Sequence, residues 1–194
     1  MGTITSMREF RRVQSVQGIP SYDNNLSTLL REIEDLRGQF TVRDKSGLVI
    51  LKGAQLKEYF FSGIYSECRK HGWLSPSFYH SAGYAADVCT NAVSTTPQFW
   101  TAFEYFIKAW MEGNRQPDFL QHGGDACFLI SAIFPGQAER RGLKISFYED
   151  MGASLYSHWC VESKREIGGI MSNCFHQIAV ATTECFQKLR YEQG

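Results

Sequence analysis

The chain has no excess of either charge. Twenty lysine and arginine residues are matched by twenty aspartate and glutamate residues, so the formal net charge is zero. A protein that grips a phosphate backbone ordinarily carries a basic surplus on one face, so nucleic acid is not an expected partner. No apolar run approaches the length of a membrane span, and no membrane role is expected. The first fifteen residues hold no continuous apolar core, so no signal peptide is expected. Catalytic signatures are missing too: there is no Gly-x-Ser-x-Gly elbow, no Gly-x-Gly-x-x-Gly, no Walker sequence and no His-Glu-x-x-His. Six cysteines, at 68, 89, 127, 160, 174 and 185, follow no disulfide or zinc-finger spacing. Reduced thiols in a cytoplasmic protein are the expectation.

What is present is enough for a substantial core. The 194 residues are 43% hydrophobic and 14% aromatic. A chain of this length buries roughly 70% of its unfolded surface and needs no covalent staple. It reads as one helical domain over 1–194, with 1–20 as an extended N-terminal arm. In that arm Gly2 and Ser6 fit a lipidation pattern, with Arg8, Arg11 and Arg12 behind them. The pattern is short enough to arise by accident.

Apolar periodicity supplies the elements. Leu26, Leu29, Leu30, Ile33 and Leu36 predict a helix over 25–37. The run Phe40 to Lys52, turning at Asp44-Lys45-Ser46-Gly47, predicts a short β-hairpin over about 39–52. Leu56, Phe60, Ile64 and Cys68 predict a helix over 54–71, stopped by Gly72. Ser75-Pro76 and Thr96-Pro97 each look like an N-cap followed by a first-turn proline. The first opens a helix through Phe78, Ala82, Ala85, Cys89 and Val93; the second opens an aromatic helix over 97–113. Pro117 reads as loop. A short helix over 126–134, capped by Asp125 and apolar on nearly every side, reads as buried. Pro135-Gly136 ends it, 137–141 forms a turn, and a helix over 144–160 follows.

Ser163 to Glu166 matches a capping box for the last helix. Ile167, Met171, Cys174, Ile178, Ala181, Cys185 and Leu189 then make a narrow coiled-coil-like seam. Such a seam suits either a contact inside a bundle or a two-fold contact between copies. The fold class is therefore mainly α, a compact bundle-like domain of six or seven helices with one short hairpin. An α+β domain is the runner-up.

Gly124-Asp125, Phe134-Pro135, Arg140-Arg141-Gly142, Phe147-Tyr148, Met151-Gly152 and Tyr156 resemble a stretch seen in uncharacterised bacterial helical proteins with no assigned activity. The resemblance covers 124–156. It implies that this stretch is a unit of one structural module and that the source is bacterial. It supplies no catalytic residue.

His158 shares its side of the expected helix with Phe147 and Met151, so it should be partly buried. A buried histidine needs a hydrogen-bond partner and titrates away from its usual value. The plain reading is a satisfied core histidine. The sharper one is a proton-transfer or ligand-contact residue in a pocket lined by Tyr148, Trp159 and the aromatics of 97–113. Glu104 is the partner available to it, though Glu104 equally suits a pair with Lys108 one turn on. His122 and Asp125 stand just ahead of the expected buried helix. Gly123-Gly124 suits an anion there, but Asp125 puts negative charge in the same place, so a glycine turn is the plainer account. Arg140-Arg141 reads as a solvated turn or as an anion-binding or partner-docking edge.

No metal site and no cofactor is expected. His158-x-Cys160 and Cys174-x-His176 are two residues apart, and on a helix such side chains point roughly 200° apart. A site built across helices from His122, Asp125 and His158 is the remaining arrangement. The cysteines sit on apolar stripes and read as small hydrophobes. Two functions fit these residues. One is a non-catalytic interaction or binding protein acting as a homodimer, which neutral charge permits. The other is a small-molecule-binding protein or enzyme with an aromatic-lined pocket around His158.

Overall fold

The computed structural model describes residues 41–44, 47–50, 53–94 and 115–191, with single positions at 31, 105, 108, 109 and 113. The expected N-terminal arm, most of the helices over 25–37 and 97–113, and Glu104 lie outside the described residues. Two four-residue strands, β1 (Thr41–Asp44) and β2 (Gly47–Ile50), pair antiparallel with Thr41 opposite Ile50 and Asp44 opposite Gly47. The other elements among the described residues are helices: α1 (Gly53–Lys70), α2 (Pro76–Ser94), α3 (Pro117–Ala132), α4 (Pro135–Arg140), α5 (Ile145–Ser163) and α6 (Glu166–Tyr191). Among the described residues no helix is long and apolar enough to cross a membrane.

The expected stripe of α1 is its core face: Leu56, Phe60, Ile64 and Cys68 are all buried. Gly72 ends that helix region with a positive φ of 74°, which an L side chain rarely adopts. Ala82, Ala85 and Cys89 bury the inner face of α2, and their small size lets it lie close to its neighbours. The long α6 is the hub, packing against α5, α1, α2 and α3. Its seam faces inward: Met171, Cys174, Ile178, Ala181 and Cys185 are buried by the chain's own helices, and Phe60 of α1 stacks on Phe186 at a centroid distance of 5.1 Å. The seam is thus a contact inside the bundle, not a two-fold surface.

Four local expectations are corrected. The buried helix does not start at 126. It starts at Pro117, which occupies the first turn instead of a loop, and it runs through Gly123-Gly124 without a break. Asp125 is therefore mid-helix, and Gln116 is the cap residue. Residues 137–140 are not a turn; Pro135 opens the one-and-a-half-turn helix α4, with Arg141 at its C-cap. The 144–160 helix continues to Ser163, ending at Lys164 in the left-handed region. Ser163 consequently makes no capping box. Its hydroxyl donates to the Trp159 carbonyl at 2.6 Å and accepts the Arg165 N–H at 3.3 Å.

Candidate functional site

Asp125 is the polar centre of the bundle. It projects from the middle of α3 toward α2 and α5, and its Oδ1 accepts two phenolic hydrogens, from Tyr84 of α2 at 2.8 Å and from Tyr156 of α5 at 2.7 Å. Gln121, one turn earlier on α3, donates from Nε2 to the Tyr84 hydroxyl oxygen at 3.0 Å. Three helices are joined by one carboxylate oxygen.

Two glycines make this approach possible. A Cβ on Gly124 would lie 2.6 Å from Cε1 of Tyr156, and one on Gly123 would lie 2.8 Å from Cβ of Tyr105. The Gly-Gly step, expected as a turn, instead strips side chains from the face of a continuous helix so that rings reach its backbone. That close packing is also why the helix survives two residues of poor helix propensity.

The electrostatics follow from burial. Desolvation raises the Asp125 carboxyl to about 6 from an ordinary 3.8, against the opposing pull of the two phenolic donors and the neighbouring His122. Tyr84 and Tyr156 are pushed above their usual range, first by burial and then by the Asp125 charge, so both remain protonated donors. The rings of Tyr84, Tyr156 and Trp159 lie in mutual contact, with centroids 5.6 to 6.1 Å apart, and they fill the space beside the carboxylate. Chemically the cluster is a part-buried carboxylate held by two phenolic donors, and it ties three helices together.

The other expected site residues do not gather here. His122 is on α3 and exposed. His158 is half-buried on α5; burial lowers its pKa, the Arg115 charge adds to that, and Glu162 opposes it. Trp159, its neighbour, is the residue that enters the core. Tyr148 is fully buried, but it sits ten residues before His158 on α5, about 15 Å along the axis, too far for both to line one small pocket. Its hydroxyl is raised by burial, opposed by the charge of Arg141 beside it. Arg140 is exposed at the end of α4 and Arg141 half-buried. Among the described residues no group of three His, Cys, Asp or Glu side chains could hold a metal, so His122, Asp125 and His158 do not form the cross-helix site considered from sequence.

Desolvation holds the buried thiols in their protonated form. Five are buried, and desolvation pushes Cys68 up to about 11, Cys185 up to about 12, and Cys89, Cys127 and Cys174 upward as well. A shallow groove of about 350 Å³ lies elsewhere, between Ser131, Ile145, Glu149, Val180, Thr183 and Glu184. Both of its carboxylates are already engaged, Glu149 by His176 Nδ1 at 3.1 Å and Glu184 by His71 Nε2 at 2.8 Å.

A second feature lies on the outside of α1 and α2. Phe61 and Tyr65 stack at 5.8 Å, and Tyr79 meets both edge-on, at 5.1 and 5.4 Å. Tyr79 also packs edge-on against His80. Tyr79 is 49% exposed, high for a large aromatic side chain. Lys57 and Asp87 close one end with an exposed ion pair across the two helices. Sequence reading missed this ladder because 61, 65 and 79 lie off the core stripes, and it missed Tyr84 and Tyr156 because carboxylate contacts between helices leave no periodic signal.

Comparison with known proteins gives no matching family model, no matching curated protein and no matching solved structure. Function is therefore argued from geometry alone.

Proposed function

We propose that this chain is a non-catalytic interaction protein that acts as a homodimer, with the α1–α2 aromatic ladder as its contact. The observation that carries the reading is the aromatic cluster in which half-buried Phe61 and Tyr65 support the exposed Tyr79 and His80. Tyrosine is favoured at interfaces because its ring gives contact area and its hydroxyl tolerates water before docking. A second copy is the occupant because the face is self-complementary in charge. It carries the Lys57–Asp87 pair, of opposite sign and each about half exposed. Across a two-fold axis Lys57 of one copy faces Asp87 of the other. The chain's zero net charge leaves no long-range repulsion to overcome.

The face is modest. Two helices of this length side by side present about 500 Å² each, or about 1,000 Å² in total, at the low end for a specific interface. Association in the micromolar range is the expectation. Light scattering on the full chain tests it: a concentration-dependent dimer is expected, and Tyr79→Glu should return it to monomer with an unchanged circular dichroism spectrum. A wild-type chain that stays monomeric at roughly 100 µM overturns the reading. A dimer that Tyr79→Glu leaves intact overturns the choice of surface.

A further inference from the structure

The start of α5 gathers positive charge that nothing in its first turn answers. The chain enters it from a tight turn that closes α4. There the Leu143 N–H donates to the Ala138 carbonyl at 3.0 Å and the Gly142 N–H to the Glu139 carbonyl at 2.9 Å, with Gly142 at a φ of 65°. That turn fixes half-buried Arg141 and exposed Lys144 just ahead of the helix, with Arg140 beside them. Lys144 is the N-cap residue, its side chain makes no capping hydrogen bond, and the first turn of α5 holds no acidic residue. The first N–H groups of a helix have no partner within it, and they form the positive end of its dipole. The Phe147 N–H reaches the Lys144 carbonyl at 3.0 Å, which leaves those of Ile145 and Ser146. Glu149, more than a turn further on, is already engaged by His176 Nδ1 at 3.1 Å.

A second, independent observation lies beneath this end. Tyr148 is fully buried, and its hydroxyl has no partner at hydrogen-bond distance and angle. Helix side chains lean toward the N-terminus, so this hydroxyl is carried back toward the start of α5. The Arg141 charge acts on it there without a hydrogen bond of ordinary geometry. Buried hydroxyls are ordinarily paired, and an orphan one calls for a group that completes it.

We propose that the start of α5 binds a phosphate group, held by Arg141, Lys144 and the Ile145 and Ser146 N–H groups, with the Tyr148 hydroxyl as its innermost donor. The Arg141 side chain turns aside to admit one phosphate oxygen to that hydroxyl. A phosphate fits better than a carboxylate because it carries more charge and has an oxygen for each donor. The inference is independent of how the outer face of α1 and α2 is used.

The test is a titration of the ¹⁵N-labelled full chain with inorganic phosphate, chloride holding the ionic strength constant. Saturable shifts of the Ile145 and Ser146 amide signals are expected, with a Kd of about 1 mM or below. Methyl phosphate is the second arm: tighter binding than inorganic phosphate identifies an ester as the ligand, weaker binding identifies the free ion, and both results keep the site. Arg141→Gln or Lys144→Gln should weaken binding about tenfold. Tyr148→Phe, which keeps the ring and removes only the hydroxyl, should weaken it about fivefold. Absence of saturation by roughly 20 mM in the wild-type chain overturns the site, and that reading needs no variant to fold. Shifts spread over scattered surface lysines overturn it as well, as does phosphate affinity unchanged in Tyr148→Phe.

Discussion

The ring of Tyr156 occupies the space that a side chain at position 124 would fill. A Cβ on Gly124 would stand 2.6 Å from Cε1 and 2.7 Å from Cδ1 of that ring. The same ring carries the hydroxyl that reaches Asp125, one residue further along α3. Close helix packing and the polar junction are thus one arrangement, and neither can change without the other.

Gly124→Ala puts two effects in opposition. Alanine favours a helix over glycine by about 1 kcal/mol. Against that, the new methyl overlaps a ring that is fully buried and already hydrogen-bonded, and overpacking of this kind costs about 1–3 kcal/mol before the Tyr156–Asp125 bond is counted. The net expectation is a loss of about 1–3 kcal/mol, read from the urea midpoint. A gain in stability would mean that the ring moves aside freely.

The core of this fold was legible in the sequence because periodicity reports burial. Leu56, Phe60, Ile64 and Cys68, and the 171–185 seam, recur at helical spacing and are buried as the spacing implies. Local chemistry misled where tertiary contact overrides it. Gly123-Gly124 and Asp125 look like a turn and a cap when considered along the chain, and only the rings of Tyr105 and Tyr156 explain why a helix runs through them. His158 drew attention as the polar residue on an apolar flank, but helix α5 turns Trp159 inward instead. The partners of Asp125 are 41 and 31 residues away in the chain, beyond the reach of any local pattern.

Glu67 should behave in the opposite sense to Asp125. It is only 5% exposed on α1, and the ammonium groups of Lys188 and Lys70 outweigh its burial to hold its carboxyl below 4.5. Its stabilisation is present above the unfolded value and is lost as pH falls through the folded one. Glu67→Gln should cost about 1–2 kcal/mol at pH 7, and the gap between wild type and variant should narrow as pH is taken below about 4.5, measured by denaturant unfolding at each pH. A gap that is constant with pH would separate Glu67 from its lysines.

Cys160 is the one cysteine of the six that is not buried. A maleimide reagent added to the native chain should label Cys160 first. The other five should react only as fast as the protein opens, because they are enclosed and desolvation keeps their thiols protonated. Peptide mapping by mass spectrometry gives the order. Early labelling of Cys127 would show that α3 is less enclosed than its packing indicates.

The central claim is that the outer face of α1 and α2 meets its own counterpart. An isotope-filtered nuclear Overhauser experiment on a mixture of labelled and unlabelled chains observes that contact directly. The account predicts cross-peaks between the ring of Tyr79 in one copy and the rings of Phe61 or Tyr65 in the other. A dimer whose intermolecular cross-peaks arise elsewhere, or a mixture at roughly 500 µM with none at all, would contradict it.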